Sequence, residues 1–125
     1  MLFEEYKLKN VSLRNRVVMA PMTRNQSPGG VPTDNVISYY SRRAKAEVGM
    51  IITEGIEVSH EASSAYPNVP RLDSNDAKEG WKKVVAGIKN NHGVVIAQLW
   101  HCGGFRKLGM QPNPEVPGHT ASGLV

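Results

Sequence analysis

The sequence contains a single cysteine, Cys102, among its 125 residues. One cysteine excludes an internal disulfide framework and is typical of a protein from a reducing compartment. No apolar run approaches the roughly 20 residues that a membrane-spanning helix needs. The first residues include acids where a secretory signal would carry bases. Together these features predict a soluble, cytoplasmic protein that does not enter a membrane.

The sequence also lacks a basic run interleaved with aromatic residues, although its formal net charge is +4. The basic residues are scattered, as in the pairs Arg42 and Arg43 or Lys82 and Lys83, and they fall mostly on predicted helix surfaces. This distribution indicates solvated helix faces rather than a nucleic-acid interface. Neither a G-x-G-x-x-G segment nor a P-loop occurs, so the two common phosphate-binding loops are missing.

Three apolar runs alternate with two helical patterns along the chain. The runs cover residues 17–19, 49–53 and 93–100, and the last two are continuous, as in parallel strands buried on both faces. Two earlier pieces, residues 6–8 and 11–13, predict a hairpin. The order strand, helix, strand, helix, strand predicts an α/β fold with parallel strands and right-handed crossovers.

Two segments have the period of amphipathic helices. The first covers residues 34–46, with Thr33 as its N-cap, and the second covers residues 74–89. Gly80 and Gly87 lower the helix propensity of the second segment, so we expect them to permit close packing on the sheet. The residues predicted to face the core are Val36, Ile37, Tyr40 and Ala44 in the first helix, and Trp81, Val84, Val85 and Ile88 in the second.

Each predicted core strand ends in polar, glycine or aromatic residues, and ligands of parallel α/β proteins bind at such strand ends. The hydroxyl of Thr23 can donate a hydrogen bond, and the amide of Gln98 can both donate and accept. Gly55 permits close approach of the backbone, and Trp100 offers a flat wall. The pattern leaves two interpretations open: a site for a planar, largely apolar ligand with amide edges, or ordinary loop chemistry.

Five segments together resemble the old yellow enzyme family, the FMN-dependent ene-reductases. They come in the family's order and approximate spacing, and the match covers essentially the whole chain. The resemblance implies that residues 1–125 form the N-terminal part of a (β/α)₈ TIM barrel, an incomplete FMN-binding domain with about three core strands and an N-terminal hairpin. The five segments are residues 15–24, 49–55, 66–70, 80–82 and 97–101.

The resemblance also implies roles for individual residues. The implied cofactor-binding residues are Pro21, Met22, Thr23, Gly55 and Gln98, and the implied substrate-binding residues are Tyr66 and Trp100. Thr23 matches a threonine that bonds the flavin C4 carbonyl, and Gln98 matches a glutamine on the pyrimidine side. The implied reaction is the reduction of FMN by NAD(P)H, followed by hydride transfer from reduced FMN to the β-carbon of an activated alkene.

Much of a barrel enzyme is not encoded here. A (β/α)₈ barrel has eight strands and typically ~250 residues, and phosphate binds to the loops after its seventh and eighth strands. The family's catalytic residues match no position of this sequence, so no catalytic residue is assigned. An open arc of three strands would expose apolar edges, and we therefore expect a partner that supplies the remaining barrel segment, or oligomerisation.

Three hypotheses follow. The chain is part of an ene-reductase that is active only in a complete barrel, or a self-associating remnant with a structural or interaction role and no flavin, or part of a different TIM-barrel enzyme with a non-flavin ligand. The first predicts a yellow preparation once the barrel is complete, and the second predicts a stable, colourless one.

Several residues near the predicted site have competing interpretations. Glu54 is expected to form a structural ion pair rather than act as an acid catalyst. His101 is expected to be a buried, hydrogen-bonded histidine rather than a metal ligand or nucleophile, because no second ligand lies at metal-binding spacing. No role is assigned to His60, His92 and His119. The family's Gly-Arg pair after the Trp-His pair is absent, and the nearest arginine is Arg106.

Overall fold

Three parallel strands, in the order β3-β4-β5, form the centre of the computed structural model, which describes residues 1–124. Two helices connect these strands, a hairpin precedes them and a short hairpin follows them. The elements are β1 (Tyr6–Leu8), β2 (Val11–Leu13), β3 (Val18–Met19), α1 (Asp34–Lys45), β4 (Met50–Glu57), α2 (Asn75–Lys89), β5 (Val94–Trp100), β6 (His119–Thr120) and β7 (Gly123–Leu124), with a 3₁₀ turn at Pro28–Gly30. No helix within residues 1–124 is both long and apolar enough to cross a membrane.

The predicted order of elements is confirmed. Strands β1 and β2 form the expected antiparallel hairpin, and β4 pairs in parallel with both β3 and β5. The helices lie within a residue or two of their predicted bounds. The hairpin of β6 and β7 was not predicted, because its strands have only two residues each and leave no periodic signal.

The core lies between the two helices and the sheet. The predicted faces of both helices are buried, except that Ile37 and Val85 are only half-buried. The prediction that Gly80 and Gly87 pack on the sheet is wrong. A Cβ added at Gly80 would collide with Pro32, and a Cβ added at Gly87 would collide with the hydroxyl of Ser41. These glycines therefore allow α2 to approach α1 and the loop before it.

The residues that precede the two helices make different hydrogen bonds. The side chain of Ser74 accepts a hydrogen bond of 3.1 Å from the backbone N–H of Ala77, which caps the start of α2. Thr33 precedes α1 as predicted, but its hydroxyl donates to the carbonyl of Gln26 instead of capping the helix. Thr33 therefore fixes the preceding loop.

Strand β4 is longer than the predicted run 49–53, since it continues to Glu57. Ile52 pairs with Ile96 and Gly55 pairs with Gln98, so two residues of β4 lie opposite one residue of β5. This extra residue is a β-bulge. The hydroxyl oxygen of Thr53 accepts a hydrogen bond of 3.1 Å from the backbone N–H of Gln98. The bulge thereby keeps the two strands paired beyond the point where a strand end was predicted.

Glu54, within the bulge, is fully buried and joins three parts of the fold. Its carboxylate accepts a hydrogen bond from the backbone N–H of Arg24 (3.3 Å) and another from the hydroxyl of Tyr40 (3.3 Å). The Arg24 guanidinium lies 3.5 Å from the same carboxylate and stacks on the ring of Tyr39. The predicted structural ion pair is thus confirmed, and it ties the loop after β3 to β4 and α1.

Tyr40 completes this buried network. Its hydroxyl oxygen accepts a hydrogen bond of 2.7 Å from the backbone N–H of Glu54. Burial, assisted by the nearby carboxylate, raises the pKa of Tyr40 well above its ordinary value. The phenol therefore stays protonated and remains a hydrogen-bond donor to Glu54.

We predict that Glu54→Gln lowers the free energy of unfolding by about 1.5–3 kcal/mol, because it removes charge-assisted hydrogen bonds and leaves Arg24 without a counter-ion. The matched control is Glu79→Gln, which breaks an exposed pair with Lys82 and should cost about 0.5 kcal/mol or less. Urea denaturation followed by circular dichroism measures both variants. Equal losses in the two would contradict the structural role of Glu54.

Candidate functional site

The carboxyl end of the sheet brings together residues that are far apart in the sequence. Strand register places Gly55 opposite Gln98 and Glu57 opposite Trp100. Two of the predicted cofactor-binding residues are therefore neighbours on adjacent strands. This arrangement depends on the bulge, because a regular ladder would pair Glu54 with Gln98.

Trp100, Tyr66 and Phe105 form an aromatic stack beside these residues. The rings of Tyr66 and Trp100 lie 6.3 Å apart with an interplanar angle of 18°. The rings of Tyr66 and Phe105 lie 6.0 Å apart at 20°. The structure therefore brings the two predicted substrate-binding residues together, and it adds Phe105, which is 59% exposed and gave no signal in the sequence.

Gly55 is buried directly against the indole of Trp100. A Cβ at this position would collide with the six-membered ring of Trp100. A glycine is therefore required for the indole to lie against β4. The indole N–H of Trp100 is buried, and within residues 1–124 it has no hydrogen-bond partner. A buried donor without an acceptor is costly and is a common feature of places where a ligand supplies the missing group.

The loop after β3 carries the other predicted residues. Pro21 and Thr23 are half-buried, and Met22 is 57% exposed. The hydrogen bond from Arg24 to Glu54 fixes the end of this loop against β4. Thr23 thus lies one residue from a rigid anchor, which is the kind of support that a precisely placed binding group requires.

Arg106 is fully buried, although sequence reasoning left its role open. Its guanidinium donates hydrogen bonds to the carbonyls of Val116 (3.0 Å) and Met110 (2.9 Å) and also to those of Ser64 and Asn113. These bonds join the loop after β5 to the loop after β4. In the sequence, Arg106 was noticed only because the family's Gly-Arg pair is missing. The backbone carbonyls that its guanidinium binds cannot be identified from sequence.

His101 differs from its prediction, since it is exposed rather than buried. It is hydrogen-bonded, however: its Nδ1 accepts from the backbone N–H of Gly103 at 3.0 Å. The reason for its exposure is that His101 follows the last residue of β5 and enters an open loop. The adjacent Cys102 is half-buried, and burial, with help from the Glu57 carboxylate, raises the pKa of its thiol.

Known proteins are similar to this chain in sequence. The sequence matches the NADH:flavin oxidoreductase / NADH oxidase family over residues 1–124. It is 38% identical over 116 residues to 12-oxophytodienoate reductase 7 of Oryza sativa subsp. japonica, covering 93% of this chain and 29% of that protein. It is 35% identical to 12-oxophytodienoate reductase 2 of Arabidopsis thaliana, covering 93% and 30%.

Solved structures give the same result. The fold matches morphinone reductase in complex with tetrahydroNAD with a TM-score of 0.80 and 34% identity, covering 90% of this chain and 30% of that one. It matches an Old Yellow Enzyme from a Pichia species with a TM-score of 0.74 and 34% identity, covering 80% and 26%. The architecture is that of the first part of a TIM barrel, and the chain spans about 30% of the length of the relatives it matches.

The match over residues 1–124 shows that the chain belongs to the NADH:flavin oxidoreductase / NADH oxidase family.

Proposed function

We propose that this chain is the N-terminal part of the FMN-binding domain of an NAD(P)H oxidoreductase that reduces activated C=C bonds, and that it acts only with the remaining barrel segment. The observation that carries this proposal is the pairing of Gly55 with Gln98 beside the stacked rings of Trp100 and Tyr66. A planar ring system with a polar edge suits such a site, because apolar walls with a few placed polar groups are typical of cofactor pockets.

The residues present fit a flavin. Within the described residues the amide of Gln98 makes no side-chain hydrogen bond, and the orphaned indole N–H of Trp100 can donate to an acceptor. In the proposal, Thr23 and Gln98 bind the pyrimidine edge, and the backbones of Pro21, Met22 and Gly55 lie against the ring.

The chemistry that bound FMN supplies is hydride transfer from a nicotinamide to an activated alkene. The protein's own contribution is binding, orientation and electrostatics. Thr23 donates a hydrogen bond that strengthens as negative charge builds up on the flavin edge, which favours the reduced state. Tyr66 and Trp100 form the wall against which the alkene lies, and they keep water from the reacting atoms.

Exposed apolar residues on β5 support the need for a further segment. Ile96 is 46% exposed and Leu99 is 63% exposed, and β5 lies at the edge of the sheet. An uncovered apolar edge of this kind favours association. The remaining barrel segment would cover it. A second copy of this chain would do so too, which keeps self-association without flavin as the second candidate function.

We predict that a chimaera, in which residues 1–124 replace the matching segment of morphinone reductase, binds FMN and shows a flavin absorbance band. The chimaera supplies the rest of the barrel, so it tests this chain's residues in a complete domain. Absorbance spectroscopy after gel filtration measures the bound flavin, with unmodified morphinone reductase as the reference.

A folded chimaera that remains colourless in excess FMN would contradict the proposal. Circular dichroism separates this outcome from misfolding. A stable, colourless oligomer formed by the 125-residue chain alone would favour the second candidate function if the chimaera also fails to bind flavin.

In the same chimaera, we predict that Thr23→Val lowers the two-electron midpoint potential of the flavin by about 30–60 mV. The shift corresponds to about 1.4–2.8 kcal/mol, the size of a lost hydrogen bond to a group that becomes charged. Spectroelectrochemical titration measures it. Thr33→Val, which removes a hydroxyl bonded to Gln26, serves as the control and should leave the potential unchanged. An unchanged potential in Thr23→Val would remove Thr23 from the proposed contacts.

A further inference from the structure

Three of the four histidines lie together, although sequence reasoning assigned none of them a role in binding. His60, His101 and His119 line a cavity of about 460 Å³ together with Gly104, Thr120 and Ala121. The ring centroid of His60 lies 5.0 Å from that of His101 and 5.5 Å from that of His119. The fourth, His92, lies before β5 at the opposite end of that strand.

The loops around this histidine cluster are held in place by close backbone contacts. The backbone N–H of Cys102 donates to the carbonyl of Ser63 at 2.8 Å, which joins the loops that carry His101 and His60. A Cβ on Gly103 would collide with the carbonyl oxygen of His119. Gly103 therefore allows the hairpin of β6 and β7 to approach His101 and to form the third wall of the cavity.

Hydrogen bonds determine which ring nitrogens carry protons. The Gly103 N–H donates to Nδ1 of His101 (3.0 Å), so the proton of a neutral His101 is on Nε2. That Nε2–H donates to Nδ1 of His60 (3.0 Å), which also accepts from the N–H of Ala62 (3.2 Å). The proton of a neutral His60 is therefore on its Nε2, which donates no hydrogen bond within the described part of the chain.

This pattern disfavours a metal ion. A cation would need the lone pair on Nε2 of His101, and the ring would then carry its proton on Nδ1, against the N–H of Gly103. Consistently, no group of three His, Cys, Asp or Glu side chains within residues 1–124 is arranged to hold a metal ion. The cluster instead offers N–H donors, and none of the six residues that line the cavity is acidic.

We propose that the histidine cluster binds the oxyanion of a small ligand, a carboxylate or a phosphate. The donors are the Nε2–H of His60 and the ring of His119, while the hydroxyl of Thr120 is already used in a bond to the carbonyl of Gly123. The nearest acid in the sequence, Glu61, lines a neighbouring cavity with Arg71 and Asp73, and His60 lies between that cavity and the histidine cluster. Glu61 and Asp73 therefore approach His60 from outside the histidine cavity and do not line it.

The charges around His101 make this binding dependent on pH. The His101 side chain is exposed, but neighbouring loops displace part of its water, and this desolvation, followed by the charges of His60 and His119, lowers the pKa of His101. Nδ1 of His101 and Nδ1 of His60 already accept backbone N–H groups, so His119 is the ring of the three that can take up a proton without losing such a bond. An oxyanion in the cavity favours that proton. Proton uptake and anion binding therefore support each other, and affinity should rise as the pH falls from about 8 to about 6.

The first test is an NMR titration of the histidine ring protons of the 125-residue chain, with inorganic phosphate and separately with acetate, at pH 6 and at pH 8. We expect saturable shifts of His60, His101 and His119, with tighter binding at pH 6. The resonance of His92 should not move. Saturation by phosphate alone assigns the site to phosphates, and saturation by acetate alone assigns it to carboxylates.

The second test compares His119→Gln with the matched control His92→Gln. Loss of one charge-assisted hydrogen bond predicts about tenfold weaker binding in His119→Gln, and no change in His92→Gln. His119 makes no hydrogen bond through its ring within the described residues, so its replacement should leave the fold intact, as circular dichroism would verify. No saturable shift at pH 6, equal shifts of all four histidines, or unchanged affinity in His119→Gln would overturn the proposal. The tests need no flavin, so they stand independently of the proposed function.

Discussion

The buried carboxylate of Glu54 is the interaction on which the rest of the structure depends. It joins the loop after β3, the bulge of β4 and helix α1 through Arg24 and Tyr40. A buried carboxylate is stable only when its oxygens are hydrogen-bonded and its charge is balanced. The loop that carries Thr23 is therefore fixed by the same group that sits in the bulge, and the bulge in turn sets Gly55 opposite Gln98.

Local patterns were sufficient to predict the helices, the first hairpin and the parallel order of the strands. The bulge and the true end of β4 were not predictable, because they depend on pairing between Thr53 and Gln98, 45 residues apart. Gly80 and Gly87 were assigned to the sheet, whereas they pack on α1 and the preceding loop, since helix periodicity does not say which neighbour each face meets.

The structure places the predicted site residues, while their roles in binding stay predictions. The rings of Tyr66 and Trp100 stack, while their role in binding stays a prediction, and Phe105 and Arg106 follow no motif. The histidine cluster joins residues 60, 101 and 119, and only folded loops bring such distant positions together. His101 was expected to be buried because no second ligand lies at metal-binding spacing, but it follows the last residue of β5 and lies exposed in a loop.

The central claim is that the carboxyl end of this sheet holds one edge of a flavin. A crystal structure of the flavin-loaded chimaera with morphinone reductase tests it most directly, through the distances from the Thr23 hydroxyl and the Gln98 amide to the nearest flavin heteroatoms. The account predicts distances of about 2.7–3.2 Å, within the range of hydrogen bonds. A bound flavin with both groups more than about 4 Å from any of its heteroatoms would contradict the account.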